Sequence, residues 1–379
     1  MNLKKIPNNW HKNTFKEIAL IERGKFSIRP RNDPRYYGGT IPFIQTGDIS
    51  KSSSHIKNYK QTLNEKGLKV SKLFPKGTIV LTIAANIGSI GILTFDSAFP
   101  DSIVGITPKN NINSFWLFWA LKNMKGIFEK LATKNAQKNL NLEKLQSISV
   151  NVPPLPEQQK IANILRVWDK DIEILTKLCD AKRKSYNVIA RNIFDNQAKK
   201  EKWQAVKLST ISTIKKGKQL NRLDMKGGIY PVWNGGIIPS GFTDQWNMEA
   251  NTITISEGGS CGFVNLCKEK FWLGGHCYSV TNLAANLNKC FLFFQLKQNE
   301  PRIMRLKTGS GLPNIQKPSI ENYVVYIPSL EQQTKIANYL NSLCDEIEIY
   351  KKELELIKKQ KQGLIQKLLT GEWRVKIDE

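Results

Sequence analysis

The chain has 379 residues, 40 % apolar and 23 % charged, which fits a folded protein of two or three domains and excludes a disordered one. Lysine and arginine number 57 against 32 acidic residues, a net charge of +25 that favours a polyanionic partner, nucleic acid before an anionic membrane surface. Six irregularly spaced cysteines fit reduced thiols rather than a disulfide framework. The basic start leads into no apolar stretch of the secretory kind, so a cytoplasmic location is expected.

In chain order, residues 1–151 read as a first globular module with 23 basic and 9 acidic side chains. Within it, Gly77 to Phe95 carries no charge but holds three Thr, an Asn, a Ser and three Gly. Paired strands around a turn explain it better than a membrane span, with Thr78–Ile83 as one strand. Ser114–Lys122 reads as a buried helix.

Residues 152–198 are nearly neutral and read as a long helix with Pro156 in its first turn. Apolar positions step by four and three through Ile161, Leu165, Trp168, Ile172, Leu175, Cys179, Tyr186, Ile189 and Ile193, broken only at Lys182. Residues 199–326 form a second basic module, with 17 basic and 8 acidic side chains. It is expected to hold a strand at Asn251–Ile255 and a buried helix at Lys289–Lys297. Residues 327–379 are neutral and hold a second long helix, for which Ser329 and Gln332 predict a capping box. Its apolar steps run from Ile336 to Leu368, broken only at Lys361. Alternating 4-3 spacing in two matched helices predicts that they pair as a coiled coil.

The chain is therefore a repeat. Residues 152–174 align with 327–349 at 11 of 23 positions without a gap, including Lys160-Ile-Ala-Asn163 against Lys335-Ile-Ala-Asn338. The same offset joins Asn139 to Asn314. Nearer the start the offset becomes 193, joining Trp10 to Trp203 and Gly24 to Gly217. Matching ends around unlike middles suggest one scaffold carrying two different surfaces.

Enzyme motifs are missing. No P-loop and no Gly-x-Gly-x-x-Gly fingerprint occurs. Asn151-Val-Pro-Pro-Leu155 departs from the Asn-Pro-Pro-aromatic motif of amino-methyltransferases at Val152 and Leu155. No Glu is followed two positions on by Lys, as a Pro-Asp…Glu-x-Lys nuclease site requires. Cys261, Cys267, His276 and Cys277 are the best metal candidates, but their spacing is wrong for zinc, and small apolar cysteines in a buried sheet are the expected reading.

The duplicated Pro-x-Leu-x-x-Gln phrases at Pro153–Gln158 and Pro328–Gln333 resemble the specificity subunit of type I restriction–modification systems. So do Ile41-Pro-Phe-Ile-Gln-Thr-Gly-Asp48, Tyr230-Pro-Val-Trp-Asn-Gly-Gly236, Thr308-Gly-Ser-Gly-Leu-Pro-Asn314 and Leu368-Leu-Thr-Gly371. In the first half Thr133–Asn139 departs from the Gly-rich form of that loop. The resemblance implies an α+β fold with two target-recognition domains, 1–151 and 199–326. By the same resemblance, two long antiparallel coiled-coil helices, 152–198 and 327–379, are expected to join them about a pseudo-twofold axis.

It also implies a non-catalytic subunit that reads a bipartite, asymmetric target in double-stranded DNA. Partners would be two adenine methyltransferase subunits and motor-nuclease subunits, with no membrane. No cofactor is expected in this chain; S-adenosylmethionine, ATP and Mg²⁺ would sit on the partners. Candidate phosphate contacts are Lys25, Arg29 and Arg31 in the first module and Lys215, Lys216, Lys218 and Arg222 in the second. Candidate base contacts are Gln45, Thr46, Asp48, Asn135 and Gln137, and Asn234, Thr308, Ser310 and Asn314, because amides can bond adenine bidentately. Turn chemistry is the competing reading, and the stronger one for Asn139 and Asn314. Trp233 and Trp246 are read as core packing in preference to stacking. Two other functions remain open on the residues alone: a stand-alone DNA methyltransferase or nuclease with a non-standard site, and a coiled-coil scaffold binding protein or RNA.

Overall fold

A computed structural model describes residues 7–133, 139–225, 227–309 and 311–377. The chain forms two compact units, Met1–Ile174 with Leu354–Glu379, and Leu175–Glu353. Each long helix contributes one part to each unit.

In the first unit, Ile79–Thr82 and Ile90–Leu93 are buried along their whole length, in keeping with their largely apolar sequences. They lie in a five-stranded sheet ordered Ala19–Arg23, Ile103–Pro108, Ile79–Thr82, Ile90–Leu93, His55–Ile56. All neighbours are antiparallel except the last pair. A four-stranded sheet, ordered Gln61–Leu63, Tyr37–Phe43, Ser97–Ala98, Leu73–Phe74, carries the variable middle of the module. Helix Ser114–Asn123 is buried from Phe115 to Leu121, all round rather than on one stripe. Its N-cap Asn113 accepts from the amides of Phe115 and Trp116.

The second unit repeats this plan in smaller form. Its four-stranded antiparallel sheet runs Thr213–Lys216, Cys277–Thr281, Thr252–Ser256, Val264–Cys267. A three-stranded sheet holds Gly241–Thr243, Tyr230–Trp233 and Trp272–Leu273. Helix Lys289–Gln298 is capped by Asn288. In each unit a short ladder leads the module into its helix: His11–Thr14 pairs with Ser149–Val152, and Gln204–Lys207 with Val324–Ile327.

The long helices span Leu155–Arg191 and Leu330–Leu369. The first continues through a wider turn at Asn192–Gln197. Ile161, Ala162 and Leu165 share the first unit's core with Leu364 and Leu368. In the second unit Tyr186, Ile189 and Ile193 cluster with Ile336, Leu340 and Leu343. Both polar breaks in the apolar pattern have partners: Lys361 is buried against Asp169, and Lys182 Nζ lies 2.6 Å from Glu346. The capping box at Ser329 is only half formed. Ser329 Oγ accepts from the Gln332 amide at 3.3 Å, but the Gln332 side chain donates to Glu201 instead of turning back. Among the described residues, no helix is long and apolar enough to cross a membrane.

Candidate nucleic-acid interface

In the first unit the turn Gln45–Lys51 and the strand Gln61–Leu63 border an open cleft of about 490 Å³. Phe26, Tyr37 and Phe43 form its aromatic side, and Arg31, Gln45, Asp48, Lys51, Lys60 and Gln61 its polar side. Gln45 Nε2 donates to Gln61 Oε1 at 2.9 Å, so two amides act as one oriented pair. Asp48 is held by local chemistry, its Oδ2 accepting from the Gln45 backbone at 3.0 Å in the cap of helix Thr46–Lys51. Thr46 opens that helix and is half-buried.

The three basic candidates of this module differ. Arg31 lines the cleft and pairs with Asp101 at 2.7 Å, both side chains nearly half exposed. Arg29 Nη1 donates to the Ile28 carbonyl at 2.8 Å, and Lys25 is exposed; neither lines the cleft. Asn135 and Gln137 lie outside the described residues. Sequence reasoning missed Lys51, Lys60 and Gln61. Their positions in turns and short strands carry no periodicity to mark them, and only the fold brings them beside Gln45.

In the second unit four turns meet at one end of the sheet. Gly274 N donates to Trp233 O, Ser260 N to Gly235 O, Glu257 N to His276 O, and Ile315 N to Glu257 O, all at 2.8–2.9 Å. Gly235 sits at φ +90°, and a Cβ there would stand 2.5 Å from Gly258 O. A side chain at this crossing is therefore excluded twice, by conformation and by space. Asn234 faces into the cluster, its Oδ1 accepting from the His276 amide at 3.1 Å. Thr308 and Asn314 close their loop by two reciprocal backbone bonds, and Asn314 Oδ1 accepts from Gln316 Nε2 at 2.8 Å. Ser310 lies outside the described residues, as does the side chain of Arg222.

Lys216 Nζ reaches Glu257 at 2.6 Å, and Tyr278 Oη donates to the same carboxylate at 3.0 Å. Burial, reinforced by this acidic neighbour, holds the Tyr278 phenol well above its usual range. Lys215 and Lys218 are exposed; the Lys218 carbonyl accepts from Trp272 Nε1. Leu312 is 93 % exposed at the tip of the Thr308–Asn314 loop, and Ile238 is 70 % exposed beyond the Asn234-Gly-Gly turn. Sequence reasoning missed both, since an apolar residue in a turn reads as core until its surroundings are known. Trp233 packs against Cys267, Phe271 and Cys277, whereas Trp246 is 40 % exposed under Lys270 Nζ at 3.7 Å.

Cys261, Cys267 and Cys277 are buried and His276 is exposed. Burial pushes the Cys267 thiol up to about 12 and the Cys277 thiol up to about 11. Both are poor nucleophiles and poor metal ligands in that state. Among the described residues no group of His, Cys, Asp and Glu is arranged to hold a metal ion.

Residues 7–181 and 200–359 each match the type I restriction modification DNA specificity domain family. The chain is 26 % identical to the putative type I restriction enzyme MjaX specificity subunit of Methanocaldococcus jannaschii, over 98 % of this chain and 95 % of that one. It is 30 % identical to the putative type I specificity subunit S.MpnORF638P of Mycoplasma pneumoniae over 44 % of this chain and 46 % of the relative. Its fold is similar to the crystal structure of the type I restriction–modification system S subunit from M. genitalium, with a TM-score of 0.66 and 21 % identity over 97 % of this chain and 98 % of that one.

Proposed function

The chain belongs to the type I restriction–modification DNA specificity family, and from that premise we propose that its two modules, 1–151 and 199–326, each read one half of a bipartite, asymmetric duplex target. As a specificity subunit it recognises DNA and is a non-catalytic component of its system. The observation that carries the division of labour is a shared frame with unlike surfaces. Both units share four corresponding antiparallel core strands, a capped buried helix and a ladder into a long helix. One then presents an amide-lined cleft and the other a cluster of glycine turns.

In this reading Gln45, Thr46 and Asp48 contact base edges in one half-site, and Asn135 and Gln137 are assigned the same role. Asn234, Thr308 and Asn314 contact them in the other, with Ser310 assigned the same role. Lys25, Arg29, Arg31, Lys215, Lys216, Lys218 and Arg222 supply phosphate contacts, part of the +23 carried by the two modules. The long helices, 152–198 and 327–379, pair antiparallel as a coiled coil and set the distance between half-sites. The pairs Lys361–Asp169 and Lys182–Glu346, whose residue numbers run in opposite senses, support this. An antiparallel pair relates the modules by a pseudo-twofold axis that matches the dyad of the duplex. Two methyltransferase subunits carrying S-adenosylmethionine dock on this frame, and motor-nuclease subunits using ATP and Mg²⁺ complete a cytoplasmic complex.

The test is a chimera. Residues 203–326 are replaced by the matching segment of a relative with another target, both long helices being left intact. Single-molecule sequencing of methylated adenines should show the half-site read by 1–151 retained and the other changed. A chimera that methylates but changes both half-sites, or neither, rejects the reading. The purified chain without partners should transfer no methyl groups.

A further inference from the structure

The Pro-x-Leu-x-x-Gln phrase that opens each long helix ends in a glutamine buried to 1 % exposure, Gln158 in the first unit and Gln333 in the second. An exposed glutamine there would need no explanation. A buried amide costs free energy unless its donors and acceptor are all used, and a leucine or methionine would fill the same space at lower cost. The bonds that these amides make are therefore informative.

Gln158 Nε2 donates to Pro153 O at 2.9 Å and to Asn111 O at 3.1 Å, and its Oε1 accepts from the Asn113 amide at 2.8 Å. Gln333 Nε2 donates to Pro328 O at 3.0 Å and to Asn286 O at 3.1 Å, and its Oε1 accepts from the Asn288 amide at 2.8 Å. The two sets agree within 0.1 Å, partner for partner. Every partner is a backbone group, so the arrangement does not depend on the side chains that vary between modules. Pro153 and Pro328 belong to the turns that start the long helices. Asn113 and Asn288 are the N-caps of Ser114–Asn123 and Lys289–Gln298, the helices buried in the module cores. One planar side chain thus ties the base of each long helix to the frame of its own module at three points.

We propose that Gln158 and Gln333 are positioning residues that lock the direction in which each long helix leaves its recognition module, and so fix the half-site spacing that the protein accepts. This rests on the reading of the long helices as the ruler between half-sites. The lever is steep. A helix of 37 residues is about 55 Å long, so a tilt of about 5° at its base shifts its far end by roughly 5 Å. That exceeds the rise of one base pair, about 3.4 Å. Three directed bonds resist such a tilt where apolar packing, which has no preferred direction, does not.

The test uses the full chain assembled with its methyltransferase subunits. Gln158→Met, Gln333→Met and the double variant keep side-chain length and lose the bonds. Each is assayed on plasmid libraries that hold both half-sites constant and vary the spacer by single base pairs, with methylated adenines read by sequencing. The variants should keep both half-sites. Their preference for the native spacer over neighbours one base pair longer or shorter should fall about tenfold, the ratio set by roughly one net hydrogen bond. A folded variant with an unchanged spacer profile overturns the proposal, and so does one that loses methylation at every spacer. If a methionine variant does not assemble, the corresponding glutamate variant, which removes both donors at constant shape, is read by the same criteria. A wild-type complex indifferent to spacer length defeats the ruler reading itself, and the lock with it.

Discussion

Arg374 grips Glu157 through two hydrogen bonds, Nε to Oε1 at 2.7 Å and Nη2 to Oε2 at 2.8 Å, across 217 residues of sequence. Glu157 is fully buried, and its Oε2 also accepts from Trp10 Nε1 at 3.0 Å. The C-terminal segment thus closes over the start of the first long helix. Arg374→Ala should leave a buried carboxylate without its counter-charge. The expected loss is about 2–4 kcal/mol, below the full cost of breaking a fully buried pair because the guanidinium is partly solvated. Adding Glu157→Gln removes the stranded charge and should recover most of that loss. Denaturant unfolding of the four forms in a double-mutant cycle measures both effects.

Lys122 predicts a pH dependence. Burial lowers its ammonium to about 8, against 10.5 for an ordinary lysine, although Asp169 partly opposes the shift. Its charge is held by the Ser53 carbonyl and the face of Trp119 at 4.8 Å. Between pH 8 and 10.5 the unfolded chain binds more protons than the folded one, so stability should rise with pH across that window. Lys122→Met should raise stability at pH 7 and flatten the rise. An unaltered pH profile would show that the charge carries no penalty in the folded protein.

If the cleft of the first unit binds DNA as proposed, its amides and its lysines should have separable effects. Gln61→Ala removes the acceptor that orients Gln45 and should weaken discrimination in the half-site read by residues 1–151 by about 10–100-fold, leaving the other half-site unchanged. Lys51→Ala and Lys60→Ala should weaken binding uniformly across sequences. Removing one lysine–phosphate pair should lower the slope of log K against log salt by about 0.9. Titration of the assembled complex on duplexes with single base changes, at several salt concentrations, distinguishes the two behaviours.

Spacing is testable by insertion. Four residues added within Asp195–Ala198 lengthen a helix by about 6 Å. The methylated target should keep both half-sites and gain one or two base pairs of spacer. Retained activity on the native spacer alone would exclude the helices as its determinant.

The repeat and both long helices were legible in the sequence, because periodicity and offset are local properties. The strands at Ile79–Thr82 and Thr252–Ser256 likewise followed from their β-branched residues, and the buried helices beginning at Ser114 and Lys289 from their density of aromatic and aliphatic residues. The polar breaks at Lys182 and Lys361 were legible too, but their partners were not. Glu346 and Asp169 lie more than 160 residues away, and nothing local distinguishes them from other helix carboxylates. The turn chemistry around Asp48 was visible only as a choice between capping and base contact, and Ser329 formed half of its box because Glu201 competed for Gln332.

The place where the modules diverge shows the same boundary. Thr82 N bonds Ser89 O, and Ser256 N bonds Phe263 O, each at 2.9 Å, so these hairpins correspond. Ala85, at φ +46°, stands where the second module has Gly259 at φ +66°. The length difference therefore falls mainly before these hairpins, in the segments that form the Gln45 cleft of one module and the Tyr230–Thr243 strands of the other. Sequence by itself determined the scaffold, its duplication and its charge, since these depend on residue type and spacing along the chain. Tertiary structure alone decided which side chains meet: Gln45 with Gln61, Lys216 with Glu257, Gln158 with the cap of a helix. The reason is that hydrogen bonds demand geometry within a few tenths of an ångström, and that geometry is set by backbone segments remote in sequence.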